Sequence, residues 1–191
     1  MKRIAIFASG GGSNAEAIAR HFEASTTAMV ALILTNNPQA GAIEKAERRS
    51  ISVEVLSRPQ YDSGKYLAAL LEKYAIDFVA LAGYLKKIPD SLTRKFDRRM
   101  VNIHPALLPA YGGKGMYGIN VHRAVKAAGD TQSGPTIHFV NEVYDKGEIL
   151  LQARISIDPV WQPEDIAREV LKLEHFYYPR LIEFLLSPPQ I

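Results

Sequence analysis

Asn102 and His104 stand two residues apart at the end of the apolar run Val101-Asn102-Ile103-His104-Pro105. The two-residue period of a strand would point both side chains to one side. Pro105 cannot donate to a sheet ladder, so the pair is expected where a strand becomes a loop. An amide and an imidazole so placed can donate hydrogen bonds to one developing oxyanion. They can equally form a buried polar pair held in a turn. Asp145 lies in the turn Asp145-Lys146-Gly147, between two late strand patterns. If those strands pair near the centre of a sheet, its carboxylate can face Asn102 and His104, favour a charged imidazolium and relay a proton. A turn-forming Asp is the plain alternative.

A second constellation opens the chain. Gly10-Gly11-Gly12-Ser13-Asn14 follows the apolar run Ile4–Ala8 and precedes a helical pattern reaching about Phe22. Glycines there let backbone amides approach an anion, and a helix N-terminus adds favourable partial charge. Ser13 and Asn14 can donate to phosphate oxygens or cap the helix. Gly10-x-Gly12-x-x-Ala15 fits a dinucleotide fingerprint loosely. The next strand pattern, however, ends Thr35-Asn36-Asn37, without the carboxylate that would hold a ribose. A monophosphate site is therefore the better functional reading, against a simple capped glycine turn.

Other polar groups are less directive. Glu174, followed by His175 and the aromatics Phe176-Tyr177-Tyr178, can accept from ribose hydroxyls or face solvent; the aromatics read as packing. His138 and Glu142 lie near Asp145, but a histidine in an alternating strand reads as core or surface. His21 and His122 read as helix-associated, without convergent partners. No His, Asp and Glu grouping has metal-ligand spacing, so no metal is expected.

These residues need a scaffold, and the chain alternates strand and helix patterns. Strands are expected at Ile4–Ala8, Met29–Thr35, Val53–Leu56, Asp77–Ala82 and Arg99–Ile103, with helices at Ala42–Arg49, Tyr61–Tyr74 and Ser91–Phe96 between them. Continuous apolar strands in a βαβ rhythm argue for an α/β fold: a mostly parallel sheet with helices on both faces. Thr136–Val140 and Leu150–Ile157 alternate instead, which predicts an antiparallel or mixed C-terminal addition. A long helix is expected over Pro163–Leu186, bent or interrupted at Pro179.

With 191 residues, 47% hydrophobic and 23% charged, the chain suits one soluble domain. It contains no cysteine, which excludes a disulfide scaffold, a thiolate metal site and a cysteine nucleophile. No signal peptide is recognised, and no stretch approaches the roughly 20 apolar residues of a membrane span. The expected setting is cytoplasmic, with no membrane partner. A net charge of +3 favours anionic ligands but is too small and scattered for nucleic acid.

Taken in order, Gly10-Gly11-Gly12-Ser13-Asn14, Leu81-Ala82-Gly83-Tyr84, Asn102-Ile103-His104-Pro105 and Asp145 give a chain that closely resembles the phosphoribosylglycinamide formyltransferase family. These are the folate-dependent GAR transformylases of purine synthesis. The resemblance runs from the glycine loop to Glu174-His175 and implies a Rossmann-like formyltransferase fold in a single domain, residues 1–191. Nucleotide binding would occupy about 1–100, and folate binding and catalysis about 80–191. It implies transfer of a formyl group from 10-formyltetrahydrofolate, acting as co-substrate, to the amine of phosphoribosylglycinamide.

Asn102, His104 and Asp145 would be the catalytic trio, with His104 protonated. Gly12, Ser13 and Asn14 would hold the nucleotide phosphate and Glu174 its ribose. Leu85, Lys86, Lys87, Ile88, Asn102 and Asn141 would border the folate. Gly64 falls where some relatives place an arginine toward the folate, with Lys65 beside it as a substitute. The loop Tyr111–Gly118 is glycine-rich and reads as a mobile lid. A monomer or homodimer is expected. The competing readings are a formyltetrahydrofolate hydrolase, which normally carries an extra N-terminal domain, and a non-catalytic phosphate- or nucleotide-binding module. The module would give Asn102, His104 and Asp145 no reason to converge.

Overall fold

Apolar runs without alternation suit strands buried on both faces, and Ile4–Phe7 is buried throughout. The computed structural model describes residues 1–187, so the last four positions of the expected domain lie outside the described residues. The first half runs β1 (Lys2–Phe7), α1 (Ser13–His21), β2 (Ala28–Thr35), α2 (Gly41–Glu47), β3 (Ser52–Val55), α3 (Arg58–Tyr61), α4 (Gly64–Lys73) and β4 (Phe78–Leu81). The second half runs α5 (Asp90–Lys95), β5 (Met100–His104), α6 (Ile119–Ala127), β6 (Gln132–Ser133), β7 (Thr136–Phe139), β8 (Ile149–Gln152), β9 (Ile155–Ser156) and α7 (Pro163–Leu186).

Seven strands form one sheet in the order β3-β2-β1-β4-β5-β7-β8. The five strands β1 to β5 pair in parallel, whereas β7 runs antiparallel to β5 and β8 antiparallel to β7. β6 and β9 form a separate two-stranded ribbon. This is an α/β fold with a mostly parallel sheet and a mixed C-terminal addition.

The strand period sorts the core into two layers. Ile4 and Ile6 pack with Ile18 of α1, Phe22 just past its end, Ala42 of α2, and Tyr178 and Ile182 of α7. Ala5 and Phe7 turn the other way, onto Leu67, Leu71 and Leu92 of α4 and α5. Chain order reverses between β1 and β4, and in open α/β sheets ligands bind at the carboxyl ends of strands beside such a reversal. The glycine loop follows β1, Gly83-Tyr84 follows β4, and Asn102 and His104 end β5, so all three meet at that edge. Tyr178, fully buried, donates its hydroxyl toward the carbonyls of Leu81 (2.9 Å) and Val101 (3.1 Å), tying α7 to those strand ends.

Three expectations are corrected. The single helix over Tyr61–Tyr74 is two, because Ser63 Oγ accepts the Tyr66 amide at 3.2 Å and starts α4 afresh. The strand over Leu150–Ile157 divides into β8, paired to β7, and β9, paired to β6. Helix α7 is not interrupted at Pro179, which is buried within it. Among the described residues no helix is long and apolar enough to cross a membrane.

Candidate active site

The register of β5 against β7 builds the centre of the site. It sets Asn102 opposite His138 and His104 opposite Thr136. Val101 and Ile103 go into the α1/α7 layer, so Asn102 and His104 share the other face, as their spacing predicts. His138 is 2% exposed, and its Nε2 lies 3.1 Å from Asn102 Nδ2. Its Nδ1 is 2.8 Å from the Phe139 carbonyl, an acceptor, so Nδ1 carries the proton and Nε2 receives the Asn102 amide. One N–H of Asn102 is thereby spent on orientation, and the second is available to a substrate oxygen.

His104, 4% exposed, donates from Nε2 to the Tyr111 carbonyl at 2.7 Å. That leaves Nδ1 as the free lone pair, 3.8 Å from Asp145 Oδ2. Asp145 Oδ1 stands 3.7 Å from His138 Nε2, and the Gly113 amide donates to Oδ2 at 2.8 Å. The two His–Asp separations exceed hydrogen-bond length, leaving a short gap between acid and imidazole. Asp145 takes a left-handed backbone, φ 53°, to turn its carboxylate inward. Gly112 packs so closely that an added Cβ would lie 2.8 Å from Leu108 Cδ2 and 3.3 Å from Asp145 Cβ.

Electrostatics assigns the resting protons. Burial pushes Asp145 up, but the Gly113 amide and the nearby His104 hold it below the usual carboxylate range; His138, its Nε2 taken by the Asn102 amide, makes no hydrogen bond to it. For His104, burial is the largest influence and lowers its pKa; Asp145 and the Tyr111 carbonyl only partly offset it, and His138 adds to the lowering. The sequence reading has His104 protonated. In the structure desolvation outweighs the carboxylate and moves the imidazole's pKa below its ordinary value, toward the neutral form.

Two cavities meet at this centre. One, of about 380 Å³, is lined by Gly12, Ser13, Asn14 and Glu174 together with Asn102 and His122. Gly12 precedes α1 with φ 72°, and no side chain caps the helix, so neither Ser13 nor Asn14 is spent as a cap. Asn14 Nδ2 donates to Glu174, while Asn14 Oδ1 is buried without a partner. Glu174 does not face solvent: it is 6% exposed, and burial raises its pKa to about 7 against the opposing Asn14 bond.

The other cavity, of about 310 Å³, is lined by Leu85, Lys86, Lys87, Ile88, Asn102 and Asn141, with His138 and Asp145 at its inner end. Gly113–Tyr117 also lines it, and Met116 and Tyr117 reach both cavities. Lys65 is exposed and does not line it. Every residue assigned by resemblance to the nucleotide and folate lines its cavity, as do Asn102 and Asp145, whereas His104 lines neither and sits buried beside them. Asn102 lines both cavities, as do Tyr84, Leu85, Met116 and Tyr117.

Sequence reading missed His138 and the Tyr111–Gly113 backbone. Only the β5/β7 register identifies His138: once Asn102 is paired across two antiparallel strands, its neighbour must share the same face. Backbone donors and acceptors leave no mark in residue types.

The family model described as formyl transferase matches residues 2–182. A chloroplastic phosphoribosylglycinamide formyltransferase of Arabidopsis thaliana is 46% identical over 187 residues, covering 95% of this chain. The chain spans only 64% of that relative's length. The phosphoribosylglycinamide formyltransferase of Bacillus subtilis is 38% identical, with 98% of this chain and 96% of the relative aligned. Among solved structures, the phosphoribosylglycinamide formyltransferase of Bacillus halodurans superposes with a TM-score of 0.88 at 36% identity, covering 99% of this chain and 97% of that one.

Proposed function

The chain belongs to the formyl transferase family, and we propose that it transfers a formyl group from 10-formyltetrahydrofolate to the amine of 5'-phosphoribosylglycinamide, a step of de novo purine synthesis. The observation that carries this reading is that Asn102 lines both cavities, with His104 and Asp145 behind it. A reaction joining two substrates needs one set of polar groups at their boundary. In this assignment the phosphate sits on the amides of Gly12, Ser13 and Asn14, the ribose on Glu174, and the folate along Leu85–Ile88 and Asn141.

10-Formyltetrahydrofolate would supply the one-carbon unit. Asn102 donates its free N–H to the formyl oxygen as that oxygen gains charge during addition of the amine. Neutral His104 accepts the proton that the amine loses, through Nδ1. Asp145, ionised, stabilises the resulting imidazolium across the 3.8 Å gap. His104 then returns the proton to the folate nitrogen as the carbon–nitrogen bond breaks. The amine ends formylated, the folate ends as tetrahydrofolate, and no net proton is consumed. The cytoplasmic setting, the monomer or homodimer, and the division into nucleotide and folate parts belong to the same proposal.

The test is formyl transfer measured with and without phosphoribosylglycinamide. Formyl-glycinamide ribonucleotide formed in step with tetrahydrofolate supports the reading. Formate released at the same rate without the acceptor makes the chain a hydrolase instead. Binding of both ligands with no turnover makes it the non-catalytic module.

A further inference from the structure

His104 and Asp145 are held by one short piece of backbone, Tyr111–Gly113, which lines the folate-side cavity only at Gly113. The Tyr111 carbonyl takes the His104 Nε2–H at 2.7 Å, and two residues on the Gly113 amide gives its hydrogen to Asp145 Oδ2 at 2.8 Å. Tyr111 sits at φ 56°, a left-handed conformation that a bulky residue keeps only when something holds it. The holding contact is on the far side of the loop. The Tyr111 hydroxyl donates to Asp130 Oδ2 at 2.7 Å, and its ring rests against the small core of Val125, Ile166 and Val170 between α6 and α7. Asp130, past the end of α6, is exposed and lines neither substrate cavity, and Tyr111 lines neither as well.

We propose that the Tyr111–Asp130 hydrogen bond is a tether that sets His104 and Asp145 in their working positions. Tyr111 and Asp130 are thus positioning residues for the formyl transfer, a role that rests on the function read above. Without the hydroxyl contact, the left-handed turn relaxes toward ordinary φ. The carbonyl then leaves His104 and the amide leaves Asp145 together, because both belong to the same three residues. A hydroxyl-to-carboxylate bond is charge-assisted and suits such a duty. It also pushes the Tyr111 phenol up to about 12, so the donor stays protonated across the physiological range.

Tyr111→Phe, Asp130→Ala and Asp130→Asn test the tether by two readouts. Steady-state kinetics should show kcat lowered roughly tenfold in Tyr111→Phe and Asp130→Ala, inside the hundredfold that a 1 Å misplacement can cost. KM for both substrates should stay within about twofold, because neither residue borders them. Asp130→Asn, whose amide oxygen still accepts, should recover most of the loss. The double variant Tyr111→Phe with Asp130→Ala should be no worse than either single change.

Nitrogen-15 NMR of the His104 ring, without substrate, should show the Nε2–H tautomer in the parent and in Asp130→Asn, with a mixture in the other two. This second readout separates the tether from the function: a parent that fails to transfer formyl overturns the function while the tautomer still judges the tether. Variants that keep both kcat and the parent tautomer overturn the proposal. So does an Asp130→Asn as impaired as Asp130→Ala, or a loss confined to KM.

Discussion

Asn102 Nδ2 rests 3.1 Å from His138 Nε2, so a neighbouring strand decides which way the amide at the junction of the two cavities faces. Asn102→Ala removes the donor and should lower kcat by about 10² to 10³, the usual effect of losing one oxyanion donor. His138→Ala leaves the donor but frees its rotation, and a loss of about tenfold is expected, within the cost of misplacing a reacting group. Saturating kinetics on both variants, with circular dichroism to confirm folding, checks the order. Equal and near-normal turnover in the two would remove Asn102 from the chemistry.

His104→Ala and Asp145→Asn should each reduce turnover by about 100-fold or more while leaving the chain folded. Their pH behaviour should differ. His104 must be neutral to accept a proton, so the rate falls as pH drops through its lowered pKa. Asp145 raises that pKa, and removing its charge lowers it further. The residual activity of Asp145→Asn should therefore keep its acid limb at lower pH than the parent. An acid limb moving upward would contradict the arrangement.

Glu174 carries a pKa raised to about 7 by burial. A carboxyl whose folded pKa exceeds its unfolded value stabilises the fold below the unfolded value, near 4.3. That contribution is lost as pH rises through about 7. Glu174→Gln should gain on the parent between pH 4 and 8 by up to about 4 kcal/mol, measured by urea unfolding. Ribose hydroxyl donors prefer the ionised form, so the nucleotide KM of the parent should fall as pH rises past 7. In Glu174→Gln that KM should be higher and flat. A parent KM indifferent to pH would separate Glu174 from the ribose.

Gly12 has φ 72°, and an added Cβ would lie 2.6 Å from Ala42 Cα. Gly12→Ala should therefore cost about 1–3 kcal/mol of stability through backbone strain and overpacking. Gly11 has open space where its Cβ would go. Gly11→Ala should unfold like the parent and show only a weaker nucleotide KM. Thermal unfolding and nucleotide titration distinguish the two glycines, and identical stability losses would refute the distinction.

Much of this site was written in residue types. Period-two spacing put Asn102 and His104 on one face, the glycines announced the turn after β1, and apolar strands announced a sheet covered on both sides. These are local rules: they depend on neighbours along the chain and hold before the chain folds. The sequence also named Asp145 as a partner, although only as one reading of a turn.

Tertiary structure decided the rest, because the remaining facts concern groups far apart in sequence. His138 became the support of Asn102 through strand register alone. Glu174, which could have faced solvent, is buried against Asn14, 160 positions away. His104, expected to be charged beside an acid, has its pKa lowered instead, because burial removes more solvation than Asp145 restores. Composition and spacing place donors and acceptors on elements; which of them lose water, and to which backbone carbonyl or amide they turn, is fixed only when the elements pack.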